Sequence, residues 1–386
     1  MHNISQKGMN EFPILQPEEG IPLFYPFIAP EAKDEILDTL SSRWIGQGPK
    51  VDKFENLFKK MICPNNYVVA TGSGTDSLHL AYILAGIKEG DEVITPVFTC
   101  TATNLPILYE RAKPVFADID PETMNINVDD IEHRITSRTK AIVSVDYGGI
   151  PADYINLKKI AVKYNLKLIS DSAQSLGSKI KGKSPAEYAD FTTYSFQAIK
   201  TITTADGGLL SIKDQKLYDL AKRIRWFGID RKLKQKGTWE NDIKEIGFKY
   251  QMTDLSACLG ISGLKHLDRI ILKRKELFKI YHDNIDHHDI KLIYPNKDLD
   301  FDIVPWLCTV IVNRNRYGLM KKLRENGIES AQVHYRNDRY SVFGKRLNNL
   351  TNMNSLEDKY LVLPLHHMMQ NSDCLNICKT INEGWE

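Results

Sequence analysis

Residues 66–86 read "NYVVATGSGTDSLHLAYILAG": a short apolar run, a turn of small residues and a longer apolar run. The first run has the length and the β-branched content of a buried strand, and the last has the length of a helix. Glycine, serine and threonine between them are typical of a turn that leads into a helix. The stretch therefore predicts a strand–turn–helix unit, the building block of a parallel sheet.

Short apolar runs continue to alternate with helical patterns up to about residue 210. Further strands are predicted within residues 91–109, 112–120, 139–147, 166–178 and 188–210. This alternation favours the α/β class, with a mostly parallel sheet that helices cover on both faces. Because ligands of such sheets bind outside the carboxyl ends of the strands, the turns at those ends are the candidate site.

The chain divides into three parts by its texture. Residues 1–20 are predicted to form a loose leader, and residues 21–265 a large domain that contains the sheet. From about residue 265 a long helix with alternating charges begins, followed by a strand at 304–312 and a helix at 316–328. Residues 266–386 are therefore predicted to form a smaller α+β domain.

Composition excludes several classes of function. The 386 residues are 42% hydrophobic and carry a net charge of +2, which gives no electrostatic support for a nucleic-acid partner. Six cysteines without paired CxxC spacing argue against a zinc site and fit a reducing cytoplasm. No apolar signal segment and no run of about 18 apolar residues is present, so we expect a cytoplasmic protein without a membrane anchor.

The first candidate for chemistry is the turn at residues 72–75. Backbone N–H groups at the start of a helix, with the positive end of the helix dipole, bind phosphate well. No lysine follows the last glycine, so the turn is not a nucleotide-binding Walker motif. Taken alone, the turn is better explained as an ordinary helix N-cap.

Two further residues stand at strand ends, Asp171 and Lys200. A carboxylate at the end of a buried strand is costly unless it is paired, either with a structural partner or with a cationic ring nitrogen. Lys200 lies between the strand that ends at Ser195 and a loop that ends at Gly208, whereas most lysines are simply solvated charges. A phosphate turn, a ring-nitrogen acid and an aldehyde-reactive lysine together indicate pyridoxal phosphate (PLP) as cofactor.

From about residue 20 to its C-terminus, the sequence resembles the DegT/DnrJ/EryC1/StrS family of sugar aminotransferases. The segments that carry this resemblance are, in chain order, "SGTDSLHLA", "DEVITPVFT", "PVFADIDPETMNI", "GGIPAD", "DSAQSLGS", "YSFQAIKTITTADGGLL" and "IGFKYQMTDLSACLG". The resemblance implies the fold type I PLP aminotransferase architecture. That architecture has a mostly parallel seven-stranded sheet flanked by helices and a smaller C-terminal α+β domain.

The resemblance also implies roles for three residues around the cofactor ring. Lys200 matches the lysine that condenses with the cofactor aldehyde and moves protons between cofactor and sugar carbons. Asp171 matches the partner of the pyridine nitrogen. Gln174 matches the residue on the side of the phenolic oxygen.

The remaining implied contacts are to the cofactor phosphate. The backbone amides of Gly74 and Thr75 and the hydroxyl of Ser195 match its ligands within the chain. Lys249, in "GFKYQM", matches a residue that reaches across a homodimer to the partner's phosphate, with a solvated loop lysine as the alternative. The active sites are then expected at the dimer interface, and no metal is expected.

Some positions depart from the family pattern. Cys100 stands where many members carry an aromatic residue that stacks on the cofactor ring, and Phe98 lies two residues away on the same predicted strand. Asp146 replaces a frequent histidine, and both departures are expected to line the pocket. Arg225 or Arg231 could contact the phosphates of a nucleotide sugar, or could simply end a surface helix.

The function that the resemblance implies is transfer of an amino group from L-glutamate to a keto sugar carried by a nucleotide. A 4-keto-6-deoxyhexose is expected by analogy with the family, with amination at carbon 3 as the alternative. Dehydratase relatives carry histidine in place of Lys200, which argues against that chemistry here. An amino-acid enzyme such as a desulfurase, and a ligand-binding regulator without catalysis, remain further alternatives.

Overall fold

A computed structural model of the chain describes residues 12–240, 242–295 and 300–386. Its strands are β1 (Tyr67–Thr71), β2 (Glu92–Pro96), β3 (Phe98–Thr99), β4 (Lys113–Ala117), β5 (Thr139–Val145), β6 (Lys167–Asp171), β7 (Lys179–Ile180), β8 (Phe191–Ser195), β9 (Gly208–Ile212), β10 (Ile290–Leu292), β11 (Phe301–Asp302), β12 (Cys308–Val312), β13 (Tyr335–Arg336) and β14 (Tyr360–Leu363). Its helices are α1 (Ala32–Ser41), α2 (Pro49–Ile62), α3 (Gly74–Leu84), α4 (Thr101–Tyr109), α5 (Tyr154–Lys163), α6 (Gln215–Ile224), α7 (Arg231–Gln235), α8 (Asp254–Lys265), α9 (Leu267–Asn284), α10 (Arg316–Glu325), α11 (Thr351–Leu356) and α12 (Asn371–Asn382).

Seven strands form the main sheet in the order β1-β9-β8-β6-β5-β2-β4. The prediction of a mostly parallel sheet is confirmed, because β8, β6, β5, β2 and β4 pair in parallel. Strand β9 pairs antiparallel with both of its neighbours. It follows β8 after the loop that holds Lys200, so the chain turns back beside the strand from which that loop leaves.

The sheet is covered by apolar clusters on both faces, as an α/β sheet requires. One face packs against α2 and α8, through residues such as Phe54, Phe58 and Ile261. Helices α3 and α6 cover other parts of the sheet, through residues such as Leu80 and Ile224. The strands are accordingly almost fully buried, and the polar side chains at their carboxyl ends are held in fixed positions.

The C-terminal part of the chain has its own small sheet, β10-β12-β14, which is antiparallel. The long helix expected from about residue 265 is α9, which begins at Leu267, directly after α8 ends at Lys265. An apolar cluster joins this part to the main sheet, since Trp306 and Tyr360 pack with Phe98 and Tyr147. The division into domains at residues 265 and 266 stays a prediction.

Residues 1–11 of the predicted leader lie outside the described residues. From residue 12 onward the segment lies against α10: the Pro13 carbonyl accepts a hydrogen bond from Arg324 at 2.6 Å, and Leu15 is buried. The Ile21 N–H donates to the Gly327 carbonyl at 2.8 Å. Among the described residues, none of the helices combines the length and apolar character that crossing a membrane requires.

Candidate active site

Three turns meet at the carboxyl ends of the main-sheet strands. They follow β1, β6 and β8, and they carry the start of α3, the segment Asp171–Ser175 and the loop that contains Lys200. Because β8 lies next to β6 and close to β1 in the sheet, residues about a hundred positions apart in sequence are brought together. This is the edge where α/β sheets bind ligands.

The turn after β1 is shaped by a capped helix start and by missing side chains. The Ser73 side chain accepts a hydrogen bond from the Asp76 N–H at 3.0 Å and so caps α3. A Cβ atom at Gly74 would lie 2.8 Å from the Ser195 Cβ, and one at Gly208 would lie 2.2 Å from the Ser73 carbonyl. The two glycines thus let the helix start approach Ser195 and β9, and leave the first N–H groups of α3 for a ligand.

We predict that Gly74→Ala weakens cofactor binding by tenfold or more. The added methyl group would overpack against Ser195, at a cost of about 1–3 kcal/mol, and would push the helix start away from the hydroxyl. The measurement is a titration of cofactor-free protein with PLP. Gly46→Ala is the matched control, because a Cβ there meets nothing within 4 Å. Equal affinities in the two variants would contradict the prediction.

Asp171 ends β6 and is held by two donors. Its Oδ2 accepts from the Thr103 hydroxyl at 2.8 Å, and its Oδ1 accepts from the Ala173 N–H at 3.1 Å. Burial raises the pKa of this carboxyl, and the two hydrogen bonds and the charge of Lys200 partly offset that rise. A buried carboxylate with this setting attracts a cationic partner.

Gln174 is fixed at both ends of its amide. Its Oε1 accepts from the Gly148 N–H at 2.8 Å, and its Nε2 lies 3.1 Å from Nε2 of His334. Burial and the nearby charge of Lys200 lower the pKa of His334 to about 3, so the ring is neutral and can accept from the amide. The sequence analysis missed His334, which lies 160 residues after Gln174 and is not adjacent to any motif used there.

Lys200 lies in the loop between β8 and β9, with its N–H bonded to the Gln197 carbonyl at 2.9 Å. Burial lowers the pKa of its amine to about 8, although Cys100 and Asp171 both act in the opposite direction. A substantial fraction of the amine is therefore neutral at physiological pH, as attack on a carbonyl requires. The structure brings Lys200 together with Asp171 and with the residues that surround Gln174.

A second residue that the sequence analysis missed is Trp306. Its ring centre lies 3.8 Å from the Lys200 Nζ, and its indole N–H donates to the Ile199 carbonyl at 3.1 Å. Residues 304–312 were predicted only as a strand, and an aromatic residue in a strand usually signals core packing. Nothing in the local pattern distinguishes this tryptophan from a core residue.

Of the two candidates for covering a cofactor ring, only Cys100 is on the open side. Cys100 is exposed and interacts electrostatically with Lys200. Phe98 is 1% exposed and packs in the core, with ring centres 5.0 Å from Tyr147 and 4.9 Å from Tyr360. Phe98 and Cys100 would share one face of a strand if β3 continued, but β3 ends at Thr99 and α4 begins at Thr101.

The expectation that Asp146 lines the pocket is wrong. Its side chain is fully buried and accepts from the Ser172 and Ser175 hydroxyls, the Ala152 N–H and the Tyr154 hydroxyl. Burial raises its pKa to about 6, against the effect of these donors. Asp146 therefore lies behind the Asp171–Ser175 segment and holds it, rather than facing a ligand.

The remaining basic candidates contact other segments of the described chain. Lys249 is exposed, pairs through its backbone with Trp226, and has its amine 5.2 Å from the Phe227 ring centre. Arg225 is 5% exposed and donates to Glu55 and to the Ala70 carbonyl, which makes it a structural ion pair. Arg231 donates to the Gln47 carbonyl, and both arginines line a cavity of about 210 Å³.

The sequence of almost the whole chain fits one family model. The model of the DegT/DnrJ/EryC1/StrS aminotransferase family matches residues 26–382. The chain belongs to the DegT/DnrJ/EryC1/StrS aminotransferase family. The match extends through most of the large part and of the C-terminal part, and does not depend on one motif.

Similar proteins include enzymes of sugar metabolism. The chain is 33% identical to GDP-perosamine synthase of Escherichia coli O157:H7, over 94% of this chain and 98% of that protein. It superimposes with a TM-score of 0.89 on the sugar aminotransferase CalS13 of Micromonospora echinospora, at 28% identity, covering 95% of this chain and 100% of that one. The fold is therefore that of the fold type I sugar aminotransferases.

A solved structure of a similar protein indicates the cofactor. The PLP form of Spr1654, from Streptococcus pneumoniae and described as a putative sugar aminotransferase, has a TM-score of 0.88 at 27% identity, covering 94% of this chain and 98% of that one. A PMP form of Spr1654 is similar to the same degree. The residues of this DegT/DnrJ/EryC1/StrS member fit such a cofactor, because Gly74 keeps the start of α3 clear beside Ser195 and Lys200 is poised for an aldehyde.

Proposed function

We propose that the protein transfers an amino group from L-glutamate to the keto group of a nucleotide-linked sugar, with PLP as cofactor. The acceptor that we favour is a 4-keto-6-deoxyhexose, and the product would be an amino sugar for glycan synthesis. The observation that carries the proposal is the meeting of Lys200, Asp171 and the start of α3 at one edge of the sheet. Membership of the aminotransferase family and the likeness to GDP-perosamine synthase support it.

Each residue around the site has a part that follows from its position. The N–H groups of Gly74 and Thr75 and the Ser195 hydroxyl would hold the phosphate, because they surround a helix start free of side chains. Asp171 would pair with the ring nitrogen and keep it protonated, and Gln174 would donate to the phenolic oxygen with its second amide hydrogen. Bound there, PLP would supply an aldehyde and an electron sink.

Lys200 would move the protons. With a pKa of about 8, its Nζ can both accept a proton from carbon and return one near neutral pH. The neutral ring of His334 keeps Gln174 in place without adding a second positive charge beside the amine. The Trp306 ring lies against the Lys200 amine and would help to keep water away from the reacting carbon.

The alternatives differ at identifiable points. A dehydratase of the same fold would not use a lysine at position 200, and a ligand-binding regulator would not need a half-buried lysine whose pKa is lowered. Amination at carbon 3 rather than carbon 4 would use the same residues. Identification of the amino sugar that forms from a 3-keto and from a 4-keto nucleotide sugar distinguishes amination at carbon 3 from amination at carbon 4.

The homodimer that we propose is supported by the surface around Lys249. Trp239, Ile243 and Ile246 are exposed to 76%, 55% and 85%, and Phe227 beside Lys249 is also exposed. Monomeric proteins rarely expose so many large apolar side chains in one segment. A second copy of the chain would cover them and would bring Lys249 to the partner's cofactor phosphate.

We predict that Ile246→Asp converts the dimer to monomers and lowers PLP affinity together with activity. A charge at this position would have to lose its hydration on association, which costs several kcal/mol and outweighs the apolar contact. Sedimentation analysis measures the mass, and PLP titration measures the affinity. Val162→Asp, an exposed apolar residue on α5, serves as the control. A monomeric wild type would contradict the dimer without affecting the proposed chemistry.

The function is tested first by absorbance. Purified protein with PLP should show a yellow band that bleaches on addition of L-glutamate, and a 4-keto nucleotide sugar should restore the band while the amino sugar forms. A band that ignores glutamate would point to another amino donor. Failure to bind PLP at all would overturn the proposal and favour the regulator.

A further inference from the structure

Trp306 belongs to the C-terminal part of the chain but is packed into the edge of the main sheet. It is 1% exposed, and its backbone N–H donates to the Gly148 carbonyl at 2.8 Å. Its ring stacks on Phe24 at 5.6 Å between centres and lies nearly parallel to the His334 ring at 6.4 Å. The indole is thus held on several sides and has little freedom to move.

The indole N–H and the ring face of Trp306 both contact the loop that contains Lys200. The indole N–H donates to the carbonyl of Ile199, the residue before Lys200, at 3.1 Å. The ring centre lies 3.8 Å from the Lys200 Nζ, within the range of a cation–π contact. A buried indole N–H needs an acceptor in any core, but packing alone does not require that acceptor to lie next to the lysine or the ring face to lie against its amine.

We propose that Trp306 is a positioning residue for Lys200: its N–H anchors the backbone ahead of the lysine, and its ring supports the amine and shields it from water. This inference rests on the proposed function, because it concerns the lysine that the function requires. It assigns to the C-terminal part of the chain a direct hold on the reactive residue of the large part. The lysine can then be correctly placed only when both parts are packed together.

The groups that face the amine show why shielding matters. Asp171 and Cys100 favour the charged amine, and so does the electron-rich face of the indole. The nearby His334 ring is neutral and adds no second positive charge. Burial is the largest influence and favours the neutral amine, which is why the pKa falls to about 8. Removal of the indole would admit water beside the amine, and the pKa would rise toward that of an ordinary lysine.

The test uses full-length protein stripped of cofactor, so that no turnover is needed. Acetic anhydride acetylates only neutral amines, and mass spectrometry of the peptide that carries Lys200 gives its rate at each pH. In the wild type we expect a midpoint near pH 8. In Trp306→Ala we expect the midpoint to rise by about one unit, which lowers the acetylation rate at pH 7 about tenfold.

Trp306→Phe separates the ring from the N–H. We expect its midpoint to stay near that of the wild type, while amide hydrogen exchange across residues 197–204 becomes faster, because the Ile199 carbonyl loses its donor. This conservative variant also keeps the test decisive if Trp306→Ala folds poorly. Trp385→Ala is the matched control, since its indole also donates to a backbone carbonyl, that of Asn315, at 2.9 Å.

The outcomes distinguish the two proposals. A wild-type midpoint near 8 that stays or falls in Trp306→Ala, with exchange in Trp306→Phe unchanged, would overturn the role of Trp306 and leave the function standing. A wild-type Lys200 that titrates like the other lysines would count against the proposed function itself. A raised midpoint in Trp306→Ala, absent in Trp385→Ala, would establish the positioning role.

Discussion

Lys200→Ala protein is expected to lose aminotransferase activity by about 10⁴-fold or more. The variant lacks the amine that we propose reacts with the cofactor aldehyde and moves protons at the reacting carbon, and proton transfer alone contributes up to about 10⁴-fold. The loss should appear in both half-reactions, since the same amine serves the donor and the sugar. Stopped-flow absorbance with L-glutamate alone, and then with the keto sugar, measures the two separately.

The control for this variant is Lys183→Ala, which removes an exposed lysine from the same part of the chain. Its activity should equal that of the wild type. PLP should still bind to Lys200→Ala, because the phosphate contacts that we propose for Gly74, Thr75 and Ser195 do not involve the lysine. A Lys200→Ala rate within tenfold of the wild type would remove Lys200 from the mechanism.

Asp171→Asn is expected to lower activity by about 10²-fold or more and, at the same time, to stabilise the cofactor-free protein at pH 7. If Asp171 pairs with the ring nitrogen as we propose, an amide would not hold a proton there by charge, and loss of one partner of a buried ion pair costs about 3–5 kcal/mol. Without cofactor the wild-type carboxylate is buried and lacks a full counter-charge, so the neutral amide of the variant should raise the free energy of unfolding.

The sign of the stability effect follows from the pKa. Burial raises the pKa of Asp171 in the folded protein above the value of 3.8 in the unfolded chain. The ionised carboxylate therefore destabilises the fold at every pH above its folded-state pKa. The advantage of Asp171→Asn should therefore be full at pH 7 and should shrink as the pH falls toward 3.8. Urea unfolding of the wild type and of Asp171→Asn, both free of cofactor, at pH values from 7 down toward 3.8 measures this difference in the free energy of unfolding.

Asp206→Asn is the matched control, because Asp206 is exposed in the loop that follows Lys200. It should change neither activity nor the pH dependence of stability. If Asp171→Asn destabilised the cofactor-free protein at pH 7, the carboxylate would be a structural anchor for Thr103 and Ala173, and not a charge held ready for a ligand.

Much of the fold and part of the site could be predicted from local sequence. The strand–turn–helix pattern at residues 66–86 predicts β1 and α3, which the structure confirms at Tyr67–Thr71 and Gly74–Leu84. Asp171 was expected at a strand end, and β6 does end there. These predictions succeed because periodicity, turn residues and caps act over a few neighbouring residues.

Other features depend on which strands and segments become neighbours. Phe98 and Cys100 lie two residues apart, and only the packing of Phe98 against Tyr147 and Tyr360 decides that Cys100 is the exposed one. Asp146 ends up behind the site because two serine hydroxyls of the neighbouring segment reach its carboxylate. Such choices cannot be read from a strand's own alternation.

The sequence by itself determined the class of fold, the family and the three turns where chemistry is expected, since each of these is written in short, ordered motifs. The tertiary structure alone decided the surroundings of Lys200. Trp306 and His334 come from more than a hundred residues further along the chain and meet the lysine only through the shared core of the two parts. The reactivity of an amine depends on burial and neighbouring charges, and both are properties of the packed molecule.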